Sequence, residues 1–185
     1  MIRTEDLERL AILAEVVAKL RERGSWVGRT HLQKAAFFLQ LLLKVPLTYG
    51  FFLYYYGPYS LELDNDIQMT RMLSVLGMEL MGQYGPRYKP GANSLEEYRS
   101  LVLKYKHEIE TIVDFFGNKT AAEVELRATV FYVMHTEGLA GDDVAKRVAQ
   151  LKPRFSFKEI EQAILEVARL VESTTSSDNP TPPRP

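Results

Sequence analysis

Residues 30–44 read Thr30-His31-Leu32-Gln33-Lys34-Ala35-Ala36-Phe37-Phe38-Leu39-Gln40-Leu41-Leu42-Leu43-Lys44, and residues 49–60 read Tyr49-Gly50-Phe51-Phe52-Leu53-Tyr54-Tyr55-Tyr56-Gly57-Pro58-Tyr59-Ser60. Thr30 and Gln33 have the spacing of a capping box, in which a hydroxyl and a side-chain amide satisfy the first free amides of a helix, so a helix is expected to about Lys44. Gln33, Gln40 and Lys44 fall on one narrow stripe, and apolar side chains cover nearly everything else, which makes this the central core helix. The second stretch is short and aromatic, a composition that suits a pleated strand over residues 49–56. Gly57-Pro58 would end the strand, because proline fixes φ and donates no amide. Ser60 can then cap a helix over 61–76, with Glu62, Asp64 and Asp66 near its positive end and Gly77 closing it.

Working outward, Leu7, Leu10, Ala14, Val17 and Leu20 recur at helical spacing over residues 5–23, and Gly24 stands at the C-cap position. Met78 to Gly91 holds Gly82, Gly85-Pro86 and Pro90 among Met78, Leu80, Tyr84 and Tyr88, the pattern of a hairpin of short strands. Ser94 and Glu97 box a long helix that runs to Phe116 before Gly117. Thr120 and Glu123 box another, to about Glu137 before Gly138. Two more helices are expected at 142–151 and 157–172, the last boxed by Ser156 and Glu159. Ser173 to Pro185 has no apolar residue beyond prolines, so nothing there offsets the entropy of ordering, and a disordered tail is expected. The fold class is mainly α: a helical core over 1–118 with a short winged-helix-like β element, a helical extension over 119–172, and the tail over 173–185.

With 46% hydrophobic and 25% charged residues, the 185-residue chain has an ordinary globular composition. It contains no cysteine, which removes disulfides, thiolate nucleophiles and sulfur-ligated zinc. Charges near the amino terminus replace the apolar run of a signal peptide, and the apolar stretch Ala35 to Leu43 is far short of the roughly 20 residues that span a bilayer. A cytoplasmic protein with no membrane partner is therefore expected. Lys plus Arg number 23 against 24 Asp plus Glu, so any nucleic-acid site must be a local patch.

No motif points to catalysis. His31, His107 and His135 are scattered, there is no phosphate-cradling glycine loop and no nucleophile elbow, and Asp64 and Asp66 diverge by about 200° on a helix, leaving the helix dipole to account for them. No enzyme, metal or cofactor is expected. The aromatic run is the better candidate, because strand alternation sends Phe51, Leu53 and Tyr55 to one face and Phe52, Tyr54 and Tyr56 to the other. A core covers one aromatic face, and tyrosine suits an interface on the other. Tyr54, Tyr56, Gly57, Pro58, Tyr59 and Ser60 are the expected protein-binding residues. A DNA-binding alternative rests on the winged-helix order of elements, with Arg87 and Lys89 on the hairpin and a basic patch at Lys146, Arg147, Lys152, Arg154 and Lys158.

Leu32-Gln33-Lys34 opening the aromatic-rich helix, then Tyr56-Gly57-Pro58-Tyr59-Ser60 with Leu63 on the following helix, resemble a family pattern, as do residues 125–130 and 151–156. The chain resembles the YwgA-like proteins over about residues 25–172 and, more distantly, the SocA-like or Panacea antitoxin domains. The resemblance implies a mainly helical, non-enzymatic module. In the antitoxin branch such a module neutralises a toxin by direct contact or serves as an adaptor to a protease. The helical extension after about residue 118 departs from the antitoxin pattern.

Overall fold

The computed structural model describes residues 3–80, 82 and 85–175. The order of elements is α1 (Thr4–Glu22), α2 (Arg29–Leu41), β1 (Phe52–Tyr54), β2 (Gly57–Tyr59), α3 (Leu61–Met72), β3 (Leu76–Leu80), β4 (Pro86–Pro90), a 3₁₀ turn (Glu96–Tyr98), α4 (Arg99–Lys104), α5 (Lys106–Phe116), α6 (Ala121–His135), α7 (Asp142–Leu151) and α8 (Phe157–Thr175). The fold is mainly α with two antiparallel two-stranded sheets, β1–β2 and β3–β4. The chain forms two compact units that divide within α6, between Glu125 and Leu126.

In the first unit α2 is buried nearly all round, as its composition requires. Phe37 and Phe38 stand edge to face, with centroids 6.0 Å apart; Phe37 meets Phe51 at 5.2 Å and Phe38 meets Phe116 of α5 at 5.7 Å. These are the offset geometries aromatic quadrupoles prefer. Leu10, Leu13, Val16, Val17 and Leu20 of α1 and Ile109, Ile112 and Val113 of α5 are buried with them. In the second unit α7 packs on α8, burying Val144 and Val148 together with Ile160, Ala163 and Val167. The Ser156–Glu159 box forms there as expected: the Ser156 amide and hydroxyl both donate to the Glu159 carboxylate, at 2.7 and 2.6 Å. The Thr120–Glu123 box forms at the start of α6 in the same way.

Several local expectations are corrected. α2 begins at Arg29 after Gly28, without Thr30 as its cap, because the Gln33 amide is taken by Ser60. α3 stops at Met72 rather than running to Gly77. Ser74 turns the chain with φ 57°, the buried Val75 enters a cluster with Leu10, Ala11 and Leu95, and Gly77 lies in β3 opposite Lys89. Gly91 approaches the Ser74 carbonyl so closely that a Cβ would overlap it, which explains glycine at that position. The helix expected from Ser94 to Phe116 is broken into the 3₁₀ turn, α4 and α5. Leu95 adopts a left-handed φ of 50° and is buried in the Val75 cluster, so packing of one leucine outweighs the Ser94–Glu97 box. At the carboxyl end α8 continues through Ser173, Thr174 and Thr175, whose hydroxyls donate to carbonyls in the preceding turn. The remainder of the expected tail, residues 176–185, lies outside the described residues, as does Tyr84 of the expected hairpin.

His31, on α2, is buried, with Nε2 3.0 Å from the Lys119 carbonyl and no hydrogen-bond partner at Nδ1. A carbonyl only accepts, so Nε2 carries the proton of a neutral ring. Burial holds the imidazolium below its ordinary pKa, against the raising effect of that hydrogen bond. A depressed folded-state pKa means that stability is whole above the unfolded value of about 6.5 and falls as pH drops below it, by up to about 1.4 kcal/mol per unit. Urea unfolding between pH 7 and 5 should show this decline, and His31→Gln should flatten it; parallel curves for the two proteins would refute the assignment.

Candidate interaction site

The site begins with the polar stripe of α2. Gln40 brackets Tyr49: its Nε2 donates to the Tyr49 carbonyl at 2.8 Å, and its Oε1 accepts from the Tyr49 amide at 2.7 Å. Two turns earlier, Gln33 brackets Ser60 in the same manner, both bonds at 2.9 Å. A side-chain amide offers one donor and one acceptor side by side, so each glutamine replaces a neighbouring strand for one residue. Seven residues separate the two on one helix face, about 10 Å along the axis. The segment from Tyr49 to Ser60 is thus held at both ends. Lys34, 2% exposed, adds a third tie from Nζ to the Pro58 carbonyl at 2.9 Å.

Between these ties the chain makes a tight hairpin, not the single strand its composition predicts. Phe52 pairs with Tyr59 and Tyr54 with Gly57, leaving Tyr55-Tyr56 as the loop. Gly57 takes φ 83°, the left-handed position that follows a type I turn in a short hairpin and that glycine fills at no steric cost. Gly57-Pro58 therefore starts the second strand instead of ending the first. Ser60 caps α3 as expected, accepting from the Leu63 amide at 3.3 Å.

The hairpin turns Phe51 inward onto Phe37 and directs most of its other rings to solvent. Phe52 is 43% exposed, Tyr54 52%, Tyr55 77% and Tyr56 60%, and Leu61 at the start of α3 is 60% exposed. Phe52, Tyr54 and Tyr59 lie mutually within 6.0 Å, and Tyr55 stands 4.8 Å from Tyr54. The rings form one platform. At its edge Asp64 meets Arg29 at 3.1 Å, and burial together with the Asp64 charge raises the pKa of Tyr59. The Ser60 hydroxyl donates to Glu62 at 2.8 Å and holds that carboxyl below its ordinary value, so it is ionised at neutral pH.

Of the residues expected to bind, Tyr54 lies on this surface, Tyr56 is exposed in the loop next to Tyr55, and Tyr59 is half-buried within the platform. Gly57, Pro58 and Ser60 are buried and serve as its base. Phe52, Tyr55 and Leu61 belong to the surface but were not among the residues expected there. Strand alternation had assigned Tyr55 to the face opposite Tyr54, and the turn brings both to solvent. Lys89 pairs with Glu79 at 3.2 Å, and Arg87 lies 5.5 Å from the Trp26 ring centroid. Lys146 pairs with Asp143 at 3.2 Å, Arg147 forks onto Glu137 at 2.8 and 3.1 Å, Lys152 is buried, and Arg154 stacks on Phe155. Among the described residues no helix is long and apolar enough to cross a membrane. No protein-family model matches the chain, and no curated protein matches it.

Proposed function

We propose that this protein is a non-enzymatic, antitoxin-like regulatory module of the cytoplasm that acts by binding a partner protein through the aromatic hairpin. One observation carries the reading: four large aromatic side chains are held out in solvent on a hairpin whose ends are tied to the core helix by the buried Gln33 and Lys34 and the half-buried Gln40. Exposing such rings forgoes the burial that normally stabilises them, and tying down their backbone lowers the entropy lost when a partner covers them. Tyrosine and phenylalanine are the residue types enriched at interface centres. The resemblance to antitoxin domains points to a toxin, or a substrate delivered to a protease, as the partner.

Affinity capture of the tagged protein from its host, with and without nuclease, tests the reading. A stoichiometric protein partner that survives nuclease is expected. Partners that vanish with the nucleic acid, together with salt-dependent binding of duplex DNA, would instead favour the winged-helix alternative through Arg87 and Lys89.

A further inference from the structure

The size of the platform limits its occupant. Aromatic side chains bury about 200 Å² each, so Phe52, Tyr54, Tyr55 and Tyr56 at their observed exposures offer roughly 450 Å². A stable subunit interface needs about 800 Å² from each partner, so the platform suits a short segment better than a whole second subunit. Exposed tyrosine and phenylalanine rings are the surface on which proline-rich segments dock, because proline restricts φ beforehand and little chain entropy is lost. The rim adds a sign. Asp64 is neutralised by Arg29 and Asp66 by Arg9, but Glu62 is exposed and makes no ion pair among the described residues. The complement is a short proline-rich segment with one cation.

The chain carries such a segment: Pro180-Thr181-Pro182-Pro183-Arg184-Pro185. We infer that the aromatic hairpin binds this segment of a second copy of the chain, with prolines on the rings and Arg184 toward Glu62. The inference rests on the interaction-module reading and supplies it with a self-recognition step, in which a second copy competes with any partner for the same rings.

A synthetic peptide of residues 176–185, titrated into the full-length protein and followed by calorimetry, tests it. Saturable binding is expected. Tyr54→Ala and Tyr55→Ala in the protein, or Pro182→Ala with Pro183→Ala in the peptide, should each weaken it at least about tenfold, the loss of one 1.4 kcal/mol anchor. An Arg184→Glu peptide should bind less well, and Glu62→Lys in the protein should restore it. In sedimentation the full chain should self-associate with rising concentration, and excess peptide should reverse this. Absence of saturable binding, binding indifferent to the tyrosine variants, or a chain that stays monomeric overturns the inference. If the peptide fails while the same tyrosine variants still lose a captured partner protein, only this inference falls; if the variants lose neither, the interaction-module reading falls with it.

Discussion

Lys34→Ala is expected to lower the free energy of unfolding by about 3 kcal/mol or more, measured by urea titration at pH 7. The side chain is among the largest that are fully buried, so the truncation removes several buried methylenes at about 0.8 kcal/mol each. It also leaves the buried Pro58 carbonyl without its donor, a loss of about 1–3 kcal/mol. Lys34→Met keeps most of the volume and loses only the donor, so it should cost less, about 1–2 kcal/mol. A loss below about 1 kcal/mol for the alanine variant would mean that the lysine is not a structural tie.

Asp66→Ala should cost about 2–4 kcal/mol in the same titration. Its Oδ2 accepts from Arg9 Nε and from the Tyr49 hydroxyl, both at 2.8 Å, and Arg9 reaches on to Asp6 at 2.9 Å. Removing the carboxylate leaves a largely buried guanidinium short of its counter-charge and a buried phenol without its acceptor. Burial and the Asp66 charge both push the Tyr49 pKa up, so the phenol stays protonated and continues to donate. Asp66→Asn retains an acceptor but no charge and should lose about half as much. If the role of Asp66 were only to complement the dipole of α3, the alanine variant would lose no more than about 1 kcal/mol.

Asp66 also marks where the sequence stops being legible. Its place near the start of a helix invites the dipole explanation, whereas its partner Arg9 is 57 positions away on another helix. Features set by neighbouring residues were readable: the Ser60 cap, the boxes at Thr120 and Ser156, the apolar helix α2 and the β3–β4 hairpin. Features set by tertiary competition were not. Leu95 is held in a buried cluster and breaks what its periodicity predicts as one helix. The Thr30–Gln33 box is a sound local pattern that loses to a better use of Gln33, which satisfies two backbone groups of Ser60 at once.

At the candidate site, aromatic density in the run from Tyr49 to Tyr59 made the concentration of rings legible, but the period-2 rule misplaced Tyr55, because a two-residue loop interrupts the alternation. The polar stripe of Gln33, Gln40 and Lys44 was visible as a stripe. That its two glutamines each grip one end of the hairpin could not be read without the fold. The burial of Lys34 was not legible, since a lysine on a helix is solvated far more often than buried.

On the proposed reading the exposed rings on the hairpin, and not the fold beneath them, bind the partner. The most direct test replaces Tyr54, Tyr55 and Tyr56 together with serine and compares the variant with the native protein in nuclease-treated affinity capture, with thermal unfolding followed in parallel. An unfolding midpoint close to that of the native protein is expected, with loss of the captured partner by about a hundredfold, as removal of two or more interface anchors requires. Undiminished capture by a variant that is fully folded would contradict it.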